Sequence, residues 1–238
     1  MSGPQCCENP PSLSSSSHGG GGHVEEFGGL KCYISGSDDS KLAVMLVSDV
    51  FGYEAPNLRK IADKVASAGF LVVVPDFLHG DPYVPGTPIE AWLKGHGPDQ
   101  GFEHAKPVIE ALKGKGISKV GAAGYCWGAK VVVELAKYAY IQAAVLLHPS
   151  FVTLEDIQAV KVPISILGAE IDHKWPPELL KKFEEALNAN PEVDGFVKIF
   201  PGRSHGWSVR YKEDDEEEVK AANEALEDML DWFVKYIK

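Results

Sequence analysis

Three residues able to carry out acyl transfer follow one another along the chain: Cys126, Asp172 and His205. The cysteine stands in Gly124-Tyr125-Cys126-Trp127-Gly128, where the apolar segment KVGAAG meets the helix-forming segment WGAKVVVELAKY. G-x-C-x-G is the thiol form of G-x-S-x-G, the turn that lifts a nucleophile above the end of a strand. Backbone at such a bend is strained, and neighbouring side chains would collide with strand or helix, so both flanking glycines have a physical reason. The helix that follows points its N-terminus at the sulfur, which favours a thiolate. Asp172 closes ILGAEID and His205 follows FPGRS; both lie just past predicted strands, where parallel sheets place ligands. In the order nucleophile, acid, histidine, His205 is expected to accept the thiol proton and Asp172 to fix the imidazole tautomer.

Alternatives stand beside each choice. Glu170 is a second acid, two residues nearer the strand, and His173 adjoins Asp172. His148 ends AAVLLH, as a pocket or core histidine, and His79 and His96 fall in a long irregular stretch. His205 is preferred because it precedes the last helix. In VSDVFGYE, Asp49 lies at a strand end, either facing the thiol or capping a turn. The loop carrying it and the amide of Trp127 are the expected oxyanion donors, each worth about 3 to 4 kcal/mol of barrier. Tyr83, Trp92, His96 and Trp207 predict a partly aromatic pocket.

These residues need a frame, and the hydropathy pattern supplies one. Strands are predicted at 30–35, 42–48, 70–77, 119–124, 143–150, 163–170 and 196–202. The segment LAVMLVS is apolar almost throughout, as a strand covered on both faces must be. Between them, Leu58, Ile61, Ala62 and Val65 recur at helical spacing, and Gly69 stops that helix. Further helices are predicted at 101–116, with Pro107 as a kink or first-turn residue, after the elbow, and at 176–189. A final helix carries Val219, Ala222, Leu226, Met229, Leu230 and Phe233 on one face, and the acidic run 213–218 suits its start. Alternating strands and helices predict an α/β fold with a mostly parallel, doubly wound sheet and helices on both faces. No repeat or linker divides residues 24–238, which read as one domain, and the 79–100 stretch reads as a lid or binding loop.

The Ser/Gly/Pro-rich residues 1–23 cannot bury enough apolar surface to offset their ordering entropy and are expected to be disordered. Acylation of Cys6-Cys7, or a metal held by His18 and His23, ranks below a plain mobile tail. The four cysteines show no metal-binding spacing, so no metal is expected, and all four are expected reduced. A formal charge of −11 argues against nucleic acid or an anionic membrane as partner. No apolar run reaches the roughly 18 residues of a membrane span, and residues 1–22 lack a signal-peptide pattern, which predicts a cytoplasmic protein.

With SDVFG (48–52), VVPDF (73–77), GYCWG (124–128), GAEID (168–172) and SHGW (204–207) together, the chain resembles the dienelactone hydrolase (carboxymethylenebutenolidase) family of α/β-hydrolases, in its plant-type branch. The resemblance implies a Cys126–Asp172–His205 triad and oxyanion amides at Val50 and Trp127. It also implies a carboxylate at Asp49, where the family has glutamate, that holds the resting thiol neutral. Bacterial members grip the substrate carboxylate with two arginines. Here Leu78-His79-Gly80 stands at one position and Val209 at the other, with Arg210 one place late. The expected function is hydrolysis of small esters or lactones without a cofactor. Two other readings are an endo-1,3;1,4-β-D-glucanase, a name some plant relatives carry, and a non-catalytic ligand receptor.

Overall fold

The computed structural model describes residues 10–11 and 21–238. Eight strands form one sheet: β1 (His23–Phe27), β2 (Leu30–Ser35), β3 (Leu42–Val47), β4 (Leu71–Pro75), β5 (Lys119–Tyr125), β6 (Ala143–Leu147), β7 (Ile164–Ile171) and β8 (Gly195–Ser204). Their order is β1-β2-β4-β3-β5-β6-β7-β8. The two pairings at the β1 end are antiparallel and the rest parallel, so the sheet is mostly parallel as the pattern predicts.

Among the described residues seven helices accompany it: α1 (Pro56–Ser67), α2 (Ile89–Leu93), α3 (Pro98–Gly114), α4 (Trp127–Lys137), α5 (Leu154–Gln158), α6 (Pro177–Asn188) and α7 (Glu216–Ile237). Strand side chains alternate between two apolar layers. Met45 and Val47 join one layer with residues of α3, α4, α5 and α6; Val44 and Leu46 join the other with residues of α1 and α7. The doubly wound expectation holds.

The structure differs from the sequence reading in several places. Strand β1 was not predicted, because HVEEF has no apolar run; it pairs along β2 through a Gly28-Gly29 turn with both φ positive, at +61° and +85°. That is the backbone a two-residue hairpin requires, and glycine supplies it without strain. His23, placed in the disordered tail by its composition, starts this strand and faces Ile34. Pro107 sits well inside α3 rather than in its first turn. Cys6, Cys7 and His18 lie outside the described residues. The two described free cysteines, Cys32 and Cys126, are both buried.

Candidate active site

The elbow is built as its glycines require. Cys126 caps α4 with φ +52° and ψ −110°, a conformation that side-chain-bearing residues rarely adopt. A Cβ on Gly124 would lie 2.3 Å from the carbonyl oxygen of Gly128, and one on Gly128 would lie 2.4 Å from that of Val47. Either methyl group would force strand and helix apart. The bend is tied to the neighbouring strand end: the Cys126 N–H donates to Leu147 C=O at 3.1 Å, and the Ser150 N–H donates to Cys126 C=O at 3.0 Å.

Asp172 and His205 meet through strand register. Strands β7 and β8 carry an irregularity between Ala169 and Ile171, beyond which Ile171 pairs with Ser204. The next residues on the two strands are Asp172 and His205, and His205 Nδ1 lies 2.6 Å from Asp172 Oδ2. The other carboxylate oxygen accepts the N–H groups of Lys174 and Trp175 at 3.0 and 3.1 Å. Burial raises the Asp172 carboxyl, but His205 and these amides outweigh it and hold it below its ordinary value. Glu170, the alternative acid, is exposed and accepts the Gly202 N–H at 2.7 Å.

His205 is drawn the other way. Burial alone would lower its pKa, but the charge of Cys126, a hydrogen bond with Asp172 and contact with the sulfur push it up to about 9. Nε2 nonetheless makes no well-formed hydrogen bond. Such contacts are commonly loose before substrate binds and tighten afterwards. The structure therefore brings Cys126, Asp172 and His205 together, all three buried, from the ends of β5, β7 and β8.

Asp49, past the end of β3, is also buried. Its Oδ1 accepts the Phe51 N–H at 2.9 Å, so it does cap its own turn. Its Oδ2 lies 3.3 Å from Arg210 Nε. Burial raises the Asp49 carboxyl, and the charges of Arg210 and then His205, with the Phe51 bond, offset only part of this. Val209, four residues past the histidine, packs in the α7-side core. The turn after His205 closes with Arg210 N–H donating to Gly206 C=O at 2.9 Å. Gly206 has φ +89°, and a Cβ there would lie 2.0 Å from the guanidinium. That space folds Arg210 back onto Asp49 and over the Phe51 ring, 5.4 Å from its centre.

The two expected oxyanion residues are both buried. Each also anchors the long loop. Val50 C=O accepts the Tyr83 N–H at 2.8 Å, and the Trp127 indole N–H donates to His96 C=O at 2.8 Å. Trp92 stacks on His96, and Tyr83 packs edge-on against Phe51 and Trp92. His148 is fully buried with φ +36°, its Nε2 is 2.9 Å from Ser208 Oγ, and its ring lies 5.1 Å from His205 and 5.3 Å from Trp207. His79 lies apart, against His104 at 3.2 Å. His173 is exposed. Sequence reasoning missed Ser150, 3.4 Å from the sulfur, and Trp175, whose ring lies 6.4 Å from His205. The HPSF segment at the end of β6 was the available signal for Ser150. Among the described residues no cluster of three or more His, Cys, Asp or Glu could hold a metal ion, and no helix is long and apolar enough to cross a membrane.

The sequence pattern of the dienelactone hydrolase family matches residues 30–237. The chain belongs to that family. Membership makes it a hydrolase acting on lactone and ester bonds. A carboxymethylenebutenolidase homologue of Xenopus tropicalis is 32% identical over 92% of this chain and 93% of its own. An endo-1,3;1,4-β-D-glucanase of Zea mays is 47% identical over 79% of this chain, which spans only 63% of that protein's length. Among solved structures, the dienelactone hydrolase of Anabaena variabilis superposes with a TM-score of 0.63 at 14% identity, covering 90% of this chain and 98% of its own. The dienelactone hydrolase-like promiscuous phosphotriesterase P91, from metagenomic libraries, gives 0.71 at 17%, covering 90% and 98%. Those two show the shared fold.

Proposed function

We propose that the chain hydrolyses small esters or lactones by covalent catalysis through Cys126, with Asp172 and His205 as its partners. The observation that carries this reading is the 2.6 Å contact between Asp172 and His205 beside a cysteine held at positive φ. His205 Nε2 takes the thiol proton. Sγ bonds to the acyl carbon, and the carbonyl electron pair moves to oxygen. The amides of Val50 and Trp127 hold that oxyanion; the first N–H groups of a helix have no partner inside it. His205 then protonates the leaving oxygen as the C–O bond breaks. A water deprotonated by His205 attacks the thioester, releasing the acid and returning the proton to sulfur. Asp172 holds Nδ1–H in place and stabilises the imidazolium. The substrate is a small molecule; no cofactor takes part, and Tyr83, Trp207 and Arg210 bound its pocket.

Asp49 is paired directly with Arg210 and is the group expected to modulate the thiol. An anionic substrate that engages Arg210 would compete with Asp49 for the guanidinium and release the carboxylate. Replacement of Cys126 by alanine should abolish aryl ester turnover, and mass spectrometry should find an acyl group on Cys126 in the wild type. Undiminished turnover by Cys126→Ala would refute the mechanism.

The likeness to the maize glucanase favours a second reading, glycoside hydrolysis. That chemistry needs two carboxyls about 5 to 9.5 Å apart, one of them a proton donor. Asp172 is held ionised by His205 and two amides, which rules it out as the proton donor, and both its oxygens are already engaged by those partners. Reducing sugar released from mixed-linkage β-glucan, retained by Cys126→Ala and lost on Asp49→Asn, would establish that reading instead.

A further inference from the structure

The strand end beside the elbow contributes a hydroxyl that the mechanism above does not use. Ser150 is fully buried. Its backbone is fixed to the nucleophile, because its N–H donates to the Cys126 C=O. Its Oγ lies 3.4 Å from Cys126 Sγ, within hydrogen-bonding range of sulfur. A hydroxyl carries one proton to donate, and a neutral thiol is a weak acceptor. Once His205 has taken the thiol proton, Sγ bears a full charge in a pocket where it has no exposure to solvent. A buried charge without donors is heavily penalised, and a donor to an ionised partner is about twice as strong as one to a neutral partner.

We propose that Ser150 is a positioning residue for the nucleophile, whose O–H donates to Sγ and stabilises the Cys126 thiolate. The only proton that moves is the one passing from Sγ to His205 Nε2; Ser150 keeps its own. When Sγ bonds to the acyl carbon its charge disappears, and the Ser150 bond weakens with it. The hydroxyl therefore acts on formation of the reactive pair and much less on thioester hydrolysis. The inference rests on Cys126 as the nucleophile.

The test reads thiolate formation directly. The ultraviolet thiolate absorbance of full-length protein is titrated against pH and corrected by the Cys126→Ala spectrum. Alkylation by iodoacetamide is followed over the same range. Ser150→Ala should move the midpoint upward by about one pH unit and slow alkylation at neutral pH about tenfold, with the lower limb of kcat/KM moving equally. Ser150→Thr should restore the midpoint and Ser150→Val should not. That pair shares one shape and differs in the hydroxyl, so it decides the matter even where the alanine variant fails to fold. An unmoved midpoint in Ser150→Ala, or equal midpoints for Thr and Val, overturns the role of Ser150 and leaves Cys126 as nucleophile. Full turnover by Cys126→Ala would instead remove the nucleophile itself.

Discussion

At the scale of single residues, the pairing of Asp49 with Arg210 shows where counting along a sequence stops working. Cys126, Asp172 and His205 could be picked out because each stands at a strand end in a recognisable order. Arg210 could be named only as standing one place late, and its pairing with Asp49 could not, because that depends on a left-handed glycine four residues earlier, Gly206, and on the space that glycine leaves. The pair is buried on both sides, with side chains 2% and 4% exposed. Removing one member of such a pair leaves an uncompensated buried charge, at about 3 to 5 kcal/mol. Arg210→Met should therefore lose about 3 kcal/mol in urea denaturation. Adding Asp49→Asn, which removes the stranded charge, should recover at least about 1 kcal/mol of that loss. A double variant whose destabilisation equals the sum of the singles would mean that the two side chains are not energetically coupled.

Among the elements, long apolar strands and amphipathic helices were readable because burial on both faces leaves a continuous apolar run. Strand β1 and the five-residue helices α2 and α5 were not: β1 and α5 are short and mostly polar, and α2, Ile-Glu-Ala-Trp-Leu, is too short to show a helical period. Helix α5 owes its place to side chains rather than propensity. Thr153 and Asp156 form a reciprocal capping box at its start. Asp156 also accepts from Lys130 and Lys137 of α4, at 2.7 and 2.8 Å, and Glu134 completes the network. Burial pushes the Asp156 carboxyl up, but the two lysines and the Thr153 amide outweigh it and hold it at about 2. A depressed carboxyl contributes stability that is complete above the ordinary value of 3.8 and is lost as pH falls through the folded value. Asp156 should thus supply about 2 kcal/mol at neutral pH. Asp156→Ala should lower stability by at least that much, with the cap adding about 1 kcal/mol, while kcat/KM for an aryl ester stays unchanged. A neutral-pH stability equal to the wild type would show that the α4–α5 network is dispensable.

For the molecule as a whole, the parallel order β3-β5-β6-β7-β8 delivers Asp49, Cys126, His148, Asp172 and His205 from successive neighbouring strands to one edge. The alternation in the sequence foretold that edge, but not how rings from separate strands fill the space beneath it. His148 is the clearest case: Tyr125 and Trp207 pack around it, and it takes no share in the Asp172–His205 pair. Burial first, then the charges of His205 and Arg210, hold His148 well below its ordinary pKa of 6.5. Below pH 6.5 the unfolded chain binds a proton on this ring and the folded chain does not, so stability falls as pH falls. The loss grows by about 1.4 kcal/mol per pH unit and reaches about 2 kcal/mol at pH 5. His205 does not contribute to that slope, because its raised pKa gives stability that is fully present below 6.5 and is lost only as pH rises through about 9. Asp156 and Asp172 act only below about 3.8, whereas Asp49, with its raised carboxyl, takes up protons in the folded state first and offsets part of the loss. His104, also lowered, is half-buried at the surface and contributes equally to wild type and variant. His148→Asn keeps a side chain that tolerates positive φ and carries no titrating group. Urea midpoints of the wild type should fall between pH 6.5 and 5, and those of His148→Asn should fall markedly less. Parallel slopes for the two proteins would place the acid sensitivity elsewhere and remove His148 as its source.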